Sequence, residues 1–201
     1  MAFRMTAPLS QSGLPILRTK RVILREWRDS DLTPFAAMNA DQAVMEHFPA
    51  PLRALESDAL VERIRAHFAK HHFGLWAIEI PNVTPFAGFC GLAVPQFEAK
   101  FTPCVEIGWR LASEYWGRGY ATEAARAVLA YAFDTVGLDE VVSFTAAQNA
   151  RSINVMSKIG MQRNTEDDFN HPLLPKDHRI SKHVLYRISR NAHRSTHHIG
   201  R

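Results

Sequence analysis

The sequence Glu-Tyr-Trp-Gly-Arg-Gly-Tyr-Ala-Thr-Glu-Ala-Ala-Arg, residues 114–126, lies between a strand-like segment and a helical one. Apolar and other side chains alternate over residues 105–111, whereas apolar residues recur at helical spacing over residues 121–133. The loop between them contains Gly117 and Gly119. Glycines let backbone N–H groups approach a ligand closely, and the first turn of a helix has unpaired N–H groups at its positive end. The stretch therefore predicts a phosphate-binding loop or, in a plainer interpretation, a strand-to-helix turn that needs two glycines.

Two common phosphate-binding motifs do not match this loop. A Rossmann motif needs a third glycine where the chain has Thr122, and a nucleotide P-loop ends in Gly-Lys-Ser/Thr, which is missing here. The segment Trp-Gly-Arg-Gly-Tyr-Ala-Thr-Glu-Ala instead resembles the acetyl-CoA loop of the GNAT N-acetyltransferases, in the branch of the Rim-type ribosomal-protein N-terminal acetyltransferases. The loop of that superfamily reads Arg/Gln-x-x-Gly-x-Gly/Ala. Gly119 and Ala121 match its fourth and sixth positions, while Trp116 stands where Arg or Gln is usual.

The resemblance extends from about Leu17 to Ile188 and carries an expected fold. The periodicities predict the order β-α-α-β-β-β-α-β-α-β, which is an α+β or mixed α/β layout. Strands are expected at residues 22–27, 75–80, 86–94, 105–111, 140–147 and 184–188. Helices are expected at residues 29–39, 41–48 and 149–158. A further helix is expected to begin at a cap formed by Ser57 or Asp58, and another to run from the glycine loop to residue 136. The resemblance implies a GNAT-like central mixed, twisted sheet that splays into a V and is flanked by helices. We expect a single domain over residues 1–201, with loosely ordered tails at 1–18 and 190–201.

The composition indicates a soluble globular protein without membrane spans, disulfides or a metal site. With 201 residues, of which 46% are hydrophobic and 22% charged, the chain resembles a soluble globular domain, and no apolar run approaches the ~20 residues of a membrane span. Cys90 and Cys104 occur without a disulfide framework, which indicates a reducing compartment and hence the cytoplasm. The net charge of +4 favours anionic ligands such as CoA phosphates, acidic substrates or RNA. No metal site is expected, because no cysteine or carboxylate lies at ligand spacing from the histidines near residue 198.

The central strand carries the first catalytic candidate. Glu106, Gly108 and Arg110 share one face of this strand, and the apolar residues share the other. In GNAT enzymes this strand often carries a glutamate that takes a proton, usually through water, from the attacking amine. The resemblance therefore makes Glu106 the candidate general base. The plainer interpretation is a carboxylate that pairs with a neighbouring base and stabilises the strand.

The resemblance assigns further residues to acetyl-CoA, the cosubstrate of a direct acetyl transfer. In the family, backbone groups of the central strand pair with pantetheine, and the glycine loop holds the pyrophosphate. The candidates carried over in this way are Trp109, Arg110, Leu111, Trp116, Gly117, Arg118, Gly119, Tyr120, Ala121, Thr122, Asn149 and Ser152.

The helix after Asn149 carries the second catalytic candidate. Its first residues match the Asn-x-x-Ser pattern of the Rim-type branch, in which the serine can lie near the CoA sulfur. Ser152 is therefore a candidate hydrogen-bond donor to the leaving thiolate. Many GNAT enzymes use a tyrosine in this helix as the acid, but the matching position here is Met156. Helix capping is the plainer role for Asn149 and Ser152.

The acceptor amine is less well specified. At pH 7, roughly one terminal α-amine in ten is neutral, against about one lysine side chain in 2,500. A chain with one plausible base therefore suits an α-amine, and the resemblance implies protein N-termini, although the same branch contains small-amine and antibiotic acetyltransferases. Residues 29–71 and 167–172 are expected to shape the pocket. The acids at 166–168 either attract a cationic amine or form a solvated loop, and His171 and His183 either titrate near neutrality or serve as structural hydrogen-bonding groups.

Three hypotheses follow. The first is an acetyl-CoA-dependent N-acetyltransferase that acts on a protein α-amine, or on a small amine or antibiotic. The second is a non-catalytic acyl-CoA-binding protein on the same fold, because the usual tyrosine is missing. The third is a basic RNA- or ribosome-binding module whose glycine loop holds phosphates, with the basic tail after Ser189 as a further contact or merely a solubilising end. The first implies acetyl-CoA and an amine acceptor as partners, with ribosome association as a further option, no membrane, and a monomer or homodimer.

Overall fold

The computed structural model describes residues 13–198, with side chains up to residue 195. The strands are β1 (Leu17–Arg18), β2 (Ile23–Arg25), β3 (Leu75–Ile80), β4 (Thr84–Ala93), β5 (Glu106–Leu111), β6 (Glu140–Ala146), β7 (Gln162–Arg163), β8 (Phe169–Asn170) and β9 (Lys182–Ser189). The helices are α1 (Leu32–Ala40), α2 (Ala54–His71), α3 (Tyr120–Tyr131), α4 (Ala150–Lys158) and α5 (Arg190–His198). Residues 1–12 and 199–201, which the sequence predicts as parts of the two tails, lie outside the described residues.

Within residues 13–198, nine strands form one sheet in the order β1-β2-β3-β4-β5-β6-β9-β7, and β8 also pairs with β9. The pairings are antiparallel except that of β5 with β6, which run parallel. These two strands are joined at a single register position, Glu106↔Val142. The predicted mixed sheet flanked by helices is confirmed, and the parallel junction divides it into a half formed by β1–β5 and a half formed by β6–β9.

Aromatic rings fix the helices to the sheet. Trp76 of β3 is fully buried and packs edge-on against Phe68 of α2 and Tyr131 of α3, with ring centroids 5.2 and 5.3 Å apart. Phe35 of α1 is also fully buried and packs 4.8 Å from Trp27. Such aromatic pairs add about 0.5–1.5 kcal/mol each beyond the area that they bury. These contacts therefore hold α2 and α3 against the sheet and pack α1 against Trp27.

The helix after the glycine loop forms as the sequence predicts. Four residues of α3 at helical spacing are fully buried and turn one apolar stripe toward β4 and β5: Ala124, Ala125, Val128 and Leu129. A π-helical turn, Ala132–Val136, extends the helix to Gly137, which ends it in the left-handed conformation with φ 83°. The predicted stop at Gly137 is confirmed.

Two predictions around α1 and α2 are wrong. Residues 41–48 form turns rather than a helix, since Asp41 is extended and its carboxylate accepts a hydrogen bond from the backbone N–H of Ala43 at 2.8 Å. The second helix begins at Ala54 rather than after a cap at Ser57 or Asp58. Its first N–H groups are served by Glu56, whose carboxylate accepts from the Arg53 N–H at 2.8 Å.

The ends of the described chain are more ordered than the sequence predicts. Residues Leu17–Arg18 pair with β2, and Arg190–His198 form α5, although both were expected in loose tails. The ring of His193 packs 5.1 Å from that of Phe133, and Arg190 Nε donates to the Leu138 carbonyl at 2.9 Å. Because polar side chains make these contacts, the helix has no apolar period that the sequence could reveal.

A buried ion pair ties the segment before α1 to the sheet. Arg25 of β2 donates from both Nη atoms to the Asp31 carboxylate at 2.8 and 2.9 Å, and from Nε to Glu79 of β3 at 2.9 Å. The side chains of Arg25 and Asp31 are 5% and 2% exposed. Removing one partner of such a pair leaves the other charge buried, which costs about 3–5 kcal/mol.

We expect Asp31→Ala to lower the melting temperature by roughly 6–20 °C, because it leaves the Arg25 guanidinium without its main counterion. The control is Asp29→Ala, which removes an 87% exposed carboxylate paired with Arg65 and should cost at most about 1 kcal/mol. Thermal unfolding followed by circular dichroism measures both variants. Equal melting temperatures for the two would show that the buried pair does not hold this segment.

Candidate functional site

The candidate site is organised by the parallel junction between β5 and β6. The Val142 N–H donates to the Val105 carbonyl at 3.0 Å, so the backbone groups of Val105 point toward β6. Because the direction alternates along a strand, the backbone groups of the other odd-numbered residues of 105–111 also point toward β6. Beyond this position, the N–H groups of Trp109 and Leu111 face the space between the two strands, and no β6 residue in the described chain pairs with them. A gap lined by free backbone donors therefore opens at the carboxyl ends of β5 and β6.

Arg110 departs from the role that the resemblance gives its backbone. It lies opposite Phe89 of β4, so the same alternation turns its N–H and carbonyl groups toward β4 and away from the gap. Of the three strand residues expected to pair with pantetheine, only Trp109 and Leu111 can offer backbone groups there. The Arg110 side chain instead projects from the same face of the sheet as Glu106.

The glycine loop has the backbone of an open cradle. Gly117 and Gly119 have φ values of 73° and 82°, in the left-handed region that favours glycine, and Gly119 is the N-cap of α3. A Cβ atom on Gly117 would have no described atom within 4 Å. Trp116 fixes the loop to the strand, since its Nε1 donates to the Leu111 carbonyl at 2.8 Å.

Sequence reasoning missed the residues that hold this loop from outside. Arg21, between β1 and β2, donates from Nε to Glu123 of α3 at 2.6 Å and from Nη1 to the Arg118 carbonyl at 2.9 Å. The Arg21 guanidinium also lies over the Tyr120 ring, 5.0 Å from its centroid. Thr19 Oγ1 donates to the same Glu123 carboxylate at 2.7 Å. These contacts span about a hundred positions of the chain, and no local pattern could have revealed them.

A groove of about 510 Å³ adjoins the N-terminus of α3. Its lining residues are Thr19, Arg21, Gly119, Thr122, Glu123, Arg126, Ala127 and Lys158. Arg126 crosses to α4, where its Nη2 donates to the Lys158 carbonyl at 2.7 Å. Positive side chains and a helix N-terminus around one groove suit a polyphosphate. Gly119 and Thr122 were expected to contact the ligand, whereas Arg126 and Lys158 were not singled out.

The start of α4 lies at the carboxyl end of β6. Asn149 is the N-cap of α4, since its Oδ1 accepts from the Ser152 N–H at 3.2 Å. Its Nδ2 donates to Thr145 Oγ1 at 2.9 Å and to Ser152 Oγ at 3.1 Å. The next residue but one, Arg151, lies over the Trp116 ring at 4.5 Å from the centroid and so joins α4 to the glycine loop. Asn149 therefore serves as a cap and also orients the Ser152 hydroxyl.

Glu106 lies at the junction itself, as the register partner of Val142. It is partly buried, and its carboxyl group has no hydrogen bond or ion pair to any residue that the structure describes. Burial raises the pKa of Glu106 to about 8. Burial, with a smaller effect of Glu106, also raises the pKa of Cys104 to about 11, so this thiol is not ionised at neutral pH. A Cβ atom on Gly108, two residues along the same face, would meet only Glu106 Oε1, at 3.8 Å.

The acids of loop 166–168 are mostly paired. Asp167 accepts from Arg187 Nε at 3.0 Å, and Asp168 forms an ion pair with Arg163. Both carboxylates are therefore neutralised by arginines within the described chain. These ion pairs reduce the negative charge that the loop offers to a cationic amine.

His171 and His183 belong to a satellite cluster of rings on the β6–β9 half of the sheet. Their ring centroids are 4.9 Å apart, and burial lowers the pKa of both. The cluster also contains Phe97, Phe101, Phe144 and Phe169. Both histidines are therefore held neutral among aromatic rings, as the structural interpretation of them requires.

Residues 13–198 contain neither a candidate metal-binding cluster nor a candidate membrane-spanning helix. This range contains no group of three or more His, Cys, Asp or Glu side chains that could hold a metal ion. No helix in the same range combines the length and the apolar character that crossing a bilayer requires.

Comparison with known proteins identifies the family. Residues 21–162 match the family model described as "Acetyltransferase (GNAT) domain". The protein YkkB of Bacillus subtilis (strain 168) is 32% identical over 146 residues, which cover 72% of this chain and 84% of YkkB. The uncharacterized N-acetyltransferase YnaD of the same organism is 29% identical over 173 residues, covering 86% of this chain and 95% of YnaD.

Solved structures share the fold. An acetyltransferase (GNAT family) from Bacillus anthracis superposes with a TM-score of 0.72 at 22% identity, over 88% of this chain and 99% of that one. The spermidine N-acetyltransferase from Vibrio cholerae, solved in complex with CoA and spermine, gives a TM-score of 0.68 at 17% identity, over 87% and 99%. The family model spans well over half of the chain, and the fold agrees with it. The chain therefore belongs to the GNAT acetyltransferases.

Proposed function

We propose that this protein transfers the acetyl group of acetyl-CoA directly to a primary amine, with Glu106 as the general base. The observation that carries the proposal is the position of Glu106, whose unpaired carboxyl group lies where two parallel strands separate. Ligands of open α/β sheets bind outside the carboxyl ends of such strands. The glycine loop and the start of α4 border the same end of the gap.

The donor side fits acetyl-CoA by the chemistry of its residues. The open cradle at Gly117, the positive end of α3 and the cations Arg126 and Lys158 suit the phosphates. The free N–H groups of Trp109 and Leu111 suit the amide carbonyls of pantetheine. Bound there, acetyl-CoA supplies an acetyl group activated as a thioester. The CoA complex of the neighbouring spermidine N-acetyltransferase structure supports a donor site on this fold.

Glu106 accepts a proton from the acceptor amine, directly or through one water molecule. Its pKa of about 8 equals that of a terminal α-amine, so proton transfer between them is close to balanced in free energy. The backbone N–H groups of Trp109 and Leu111 can also hold a hydrogen bond to the acetyl carbonyl oxygen as negative charge develops on it.

Ser152 assists the departure of the CoA sulfur as a hydrogen-bond donor. Its Oγ accepts a hydrogen bond from Asn149 Nδ2 at 3.1 Å, which leaves its own O–H free to donate. A serine hydroxyl is too weak an acid to give up its proton at neutral pH, so the role is a hydrogen bond. Met156, where a tyrosine is usual, is 1% exposed and offers no proton.

For the acceptor we propose an α-amine, as in the Rim-type branch that the glycine loop resembles. A base with a pKa of about 8 is well matched to an α-amine but more than two units too weak for a lysine side chain near 10.4. A protein N-terminus and a small molecule with an α-amine both satisfy this condition. A panel of peptides with free N-termini, amino acids, polyamines and aminoglycosides, assayed by release of free CoA thiol, tests the assignment.

Gly119→Glu is expected to abolish acetyl-CoA binding, because it places a side chain and a negative charge at the N-terminus of α3. Even a Cβ atom there would lie 3.2 Å from Arg21 Nη2. Calorimetric titration with acetyl-CoA measures the loss. The matched control is Gly13→Glu. Gly13 also has a positive φ, but a Cβ atom there would meet no described atom within 4 Å, and the residue does not line the groove. Tight acetyl-CoA binding by a folded Gly119→Glu variant would contradict the donor site.

Glu106→Gln should lower the rate by about 10²–10⁴-fold at saturating acetyl-CoA while leaving acetyl-CoA binding intact, because only the proton acceptor is lost. In the wild-type enzyme, the rate should rise steeply as pH passes through about 8, where Glu106 and the acceptor α-amine both lose a proton. The rise should be less steep in the variant, where only the amine titrates. The control Glu62→Gln removes an exposed carboxylate of α2 and should change neither property.

The same variant should alter the pH dependence of stability. The folded-state pKa of Glu106 lies above its unfolded value near 4.3, so the folded state binds more protons between pH 4.3 and about 8, and stability falls as pH rises through that window. Glu106→Gln should therefore have a higher melting temperature than the wild type at pH 9 but not at pH 4.

A folded Glu106→Gln variant with an unchanged rate would exclude Glu106 as the base. Tight acetyl-CoA binding without turnover of any acceptor would favour a non-catalytic acyl-CoA-binding protein.

A further inference from the structure

Arg25, which is buried, and Arg110, which is partly buried, both lie on the β1–β5 half of the sheet and differ in their partners. Arg25 is neutralised by two carboxylates, Asp31 and Glu79. Arg110 has no carboxylate within ion-pair distance in the described chain. Within the described residues, its one hydrogen bond runs from Nη1 to Asn39 Oδ1 at 2.6 Å. A guanidinium taken out of water without a counterion is costly, so its retention needs a reason.

The free part of the guanidinium has the geometry of a carboxylate receptor. Nε of Arg110 is buried and has no hydrogen-bond partner among the described residues, and no bond is made by Nη2. The Nε–Nη2 edge is the one that binds carboxylates through two parallel hydrogen bonds. The guanidinium plane is held in place by the Phe48 ring, 4.0 Å away at its centroid, and by Asn39, whose Nδ2 donates to Ser57 Oγ at 2.9 Å.

Space for a ligand separates this receptor from the proposed base. Glu106, Gly108 and Arg110 lie on one face of β5, with Glu106 and Arg110 about 13 Å apart along the strand. The position above Gly108 is open apart from the Glu106 carboxyl group. No hydrogen bond or ion pair joins Glu106 to Arg110 in the described chain, so the two groups are not paired across this space.

Two further arginines contact the segment that carries Phe48. Arg179 donates to the Phe48 carbonyl at 3.4 Å, and Arg151 lies 3.5 Å from Glu46, the carboxylate on this segment, which it neutralises in part. Burial lowers the pKa of Arg110 to about 10, which still leaves it cationic at neutral pH. An anionic group that reaches this position meets a fixed, charged donor with unused hydrogen-bonding capacity.

Resting on the proposed acetyl transfer, we propose that Arg110 binds a carboxylate of the acceptor, so that the substrate is a primary amine that carries a carboxylate. The amine lies at Glu106, the body of the molecule lies over Gly108, and the carboxylate meets the Nε–Nη2 edge of Arg110. Short peptides with a free N-terminus and a nearby carboxylate, and N-terminal segments with an acidic side chain, belong to this class. An α-amino acid, whose amine and carboxylate share one carbon, is too short to reach both groups. Arg110 is thus a residue that determines specificity, through its side chain.

Matched acceptors that differ only in the carboxylate test this proposal. The pairs, each with an α-amine, are triglycine with triglycine amide and Gly-Glu-amide with Gly-Gln-amide, and kcat/KM is measured by thiol release at saturating acetyl-CoA. The wild-type enzyme should favour the acid of each pair by roughly 10- to 100-fold, because the unpaired guanidinium is satisfied only by the acid. Arg110→Gln should bring the ratio near one, and Arg110→Lys should keep part of it. Arg65→Gln, an exposed arginine of α2, should keep the wild-type ratio.

A second variant, Asn39→Asp, tests the proposal independently in case Arg110→Gln does not fold. Asn39→Asp retains the shape of a fully buried side chain and gives Arg110 a carboxylate from within the protein, so it should remove the preference although the arginine is present. Acetyl-CoA binding by calorimetry and the melting temperature report whether each variant is folded.

Several outcomes would overturn the proposal. Equal kcat/KM within the wild-type pairs, or an unchanged ratio in folded Arg110→Gln and Asn39→Asp, excludes a carboxylate at Arg110. A preference for phosphoethanolamine over every carboxylate replaces it with a phosphate site. If no acceptor is acetylated, the proposed function fails. Titration of the CoA-bound protein with triglycine and triglycine amide then still decides the carboxylate site. Tighter binding of the acid that disappears in Arg110→Gln supports the site, and equal binding excludes it.

Discussion

The structure depends on one constraint, which is that β5 and β6 are parallel neighbours paired at a single position, Glu106↔Val142. A fully paired ladder would satisfy the N–H groups of Trp109 and Leu111 and leave no room between the strands. A missing contact would let the two halves of the sheet separate. The single pairing keeps the halves together and opens the gap, and it places the Glu106 carboxyl group at the point of divergence. Because β5 and β6 run the same way, the segments that follow them, the glycine loop and the start of α4, meet at one edge.

The partly or fully buried charged groups of the protein fall into two sets: those that form ion pairs with one another, and those that are left to interact with a ligand. Arg25, Asp31 and Glu79 satisfy one another within the first half of the sheet. Glu106 and Arg110, on β5, have no counterion in the described chain, and burial shifts the pKa of each toward its neutral form. Buried, unpaired groups of this kind reduce stability, and they concentrate at functional sites. The contrast between the two sets marks the face of β5 at which an acceptor is expected.

The sequence predicted the parts of this arrangement that local patterns encode. The alternation over residues 105–111 and the apolar spacing of α3 fixed the central strand, the helix and the glycine loop between them, because each depends on neighbours a few positions away. The turns at 41–48 were missed, since the side chain of Asp41 accepts a bond from the Ala43 N–H that a helix would have used otherwise. The clamp of Arg21 on Glu123 and Arg118, and the isolation of Arg110, arise from residues distant in the chain. Only the folded protein brings them together.

The placement of the tryptophans has a spectroscopic consequence. The chain contains four, and Trp27 and Trp76 are 5% and 0% exposed within the core. Trp109 and Trp116 are only partly buried and border the gap and the glycine loop, where Trp116 lies beneath the guanidinium of Arg151. Indole emission depends on local polarity and on nearby charge, so half of the fluorophores in this protein report on the site and half on the core. The emission of Trp109 and Trp116 therefore offers a label-free signal for ligand binding. The emission of Trp27 and Trp76 serves as an internal reference, because it should change only when the core unfolds.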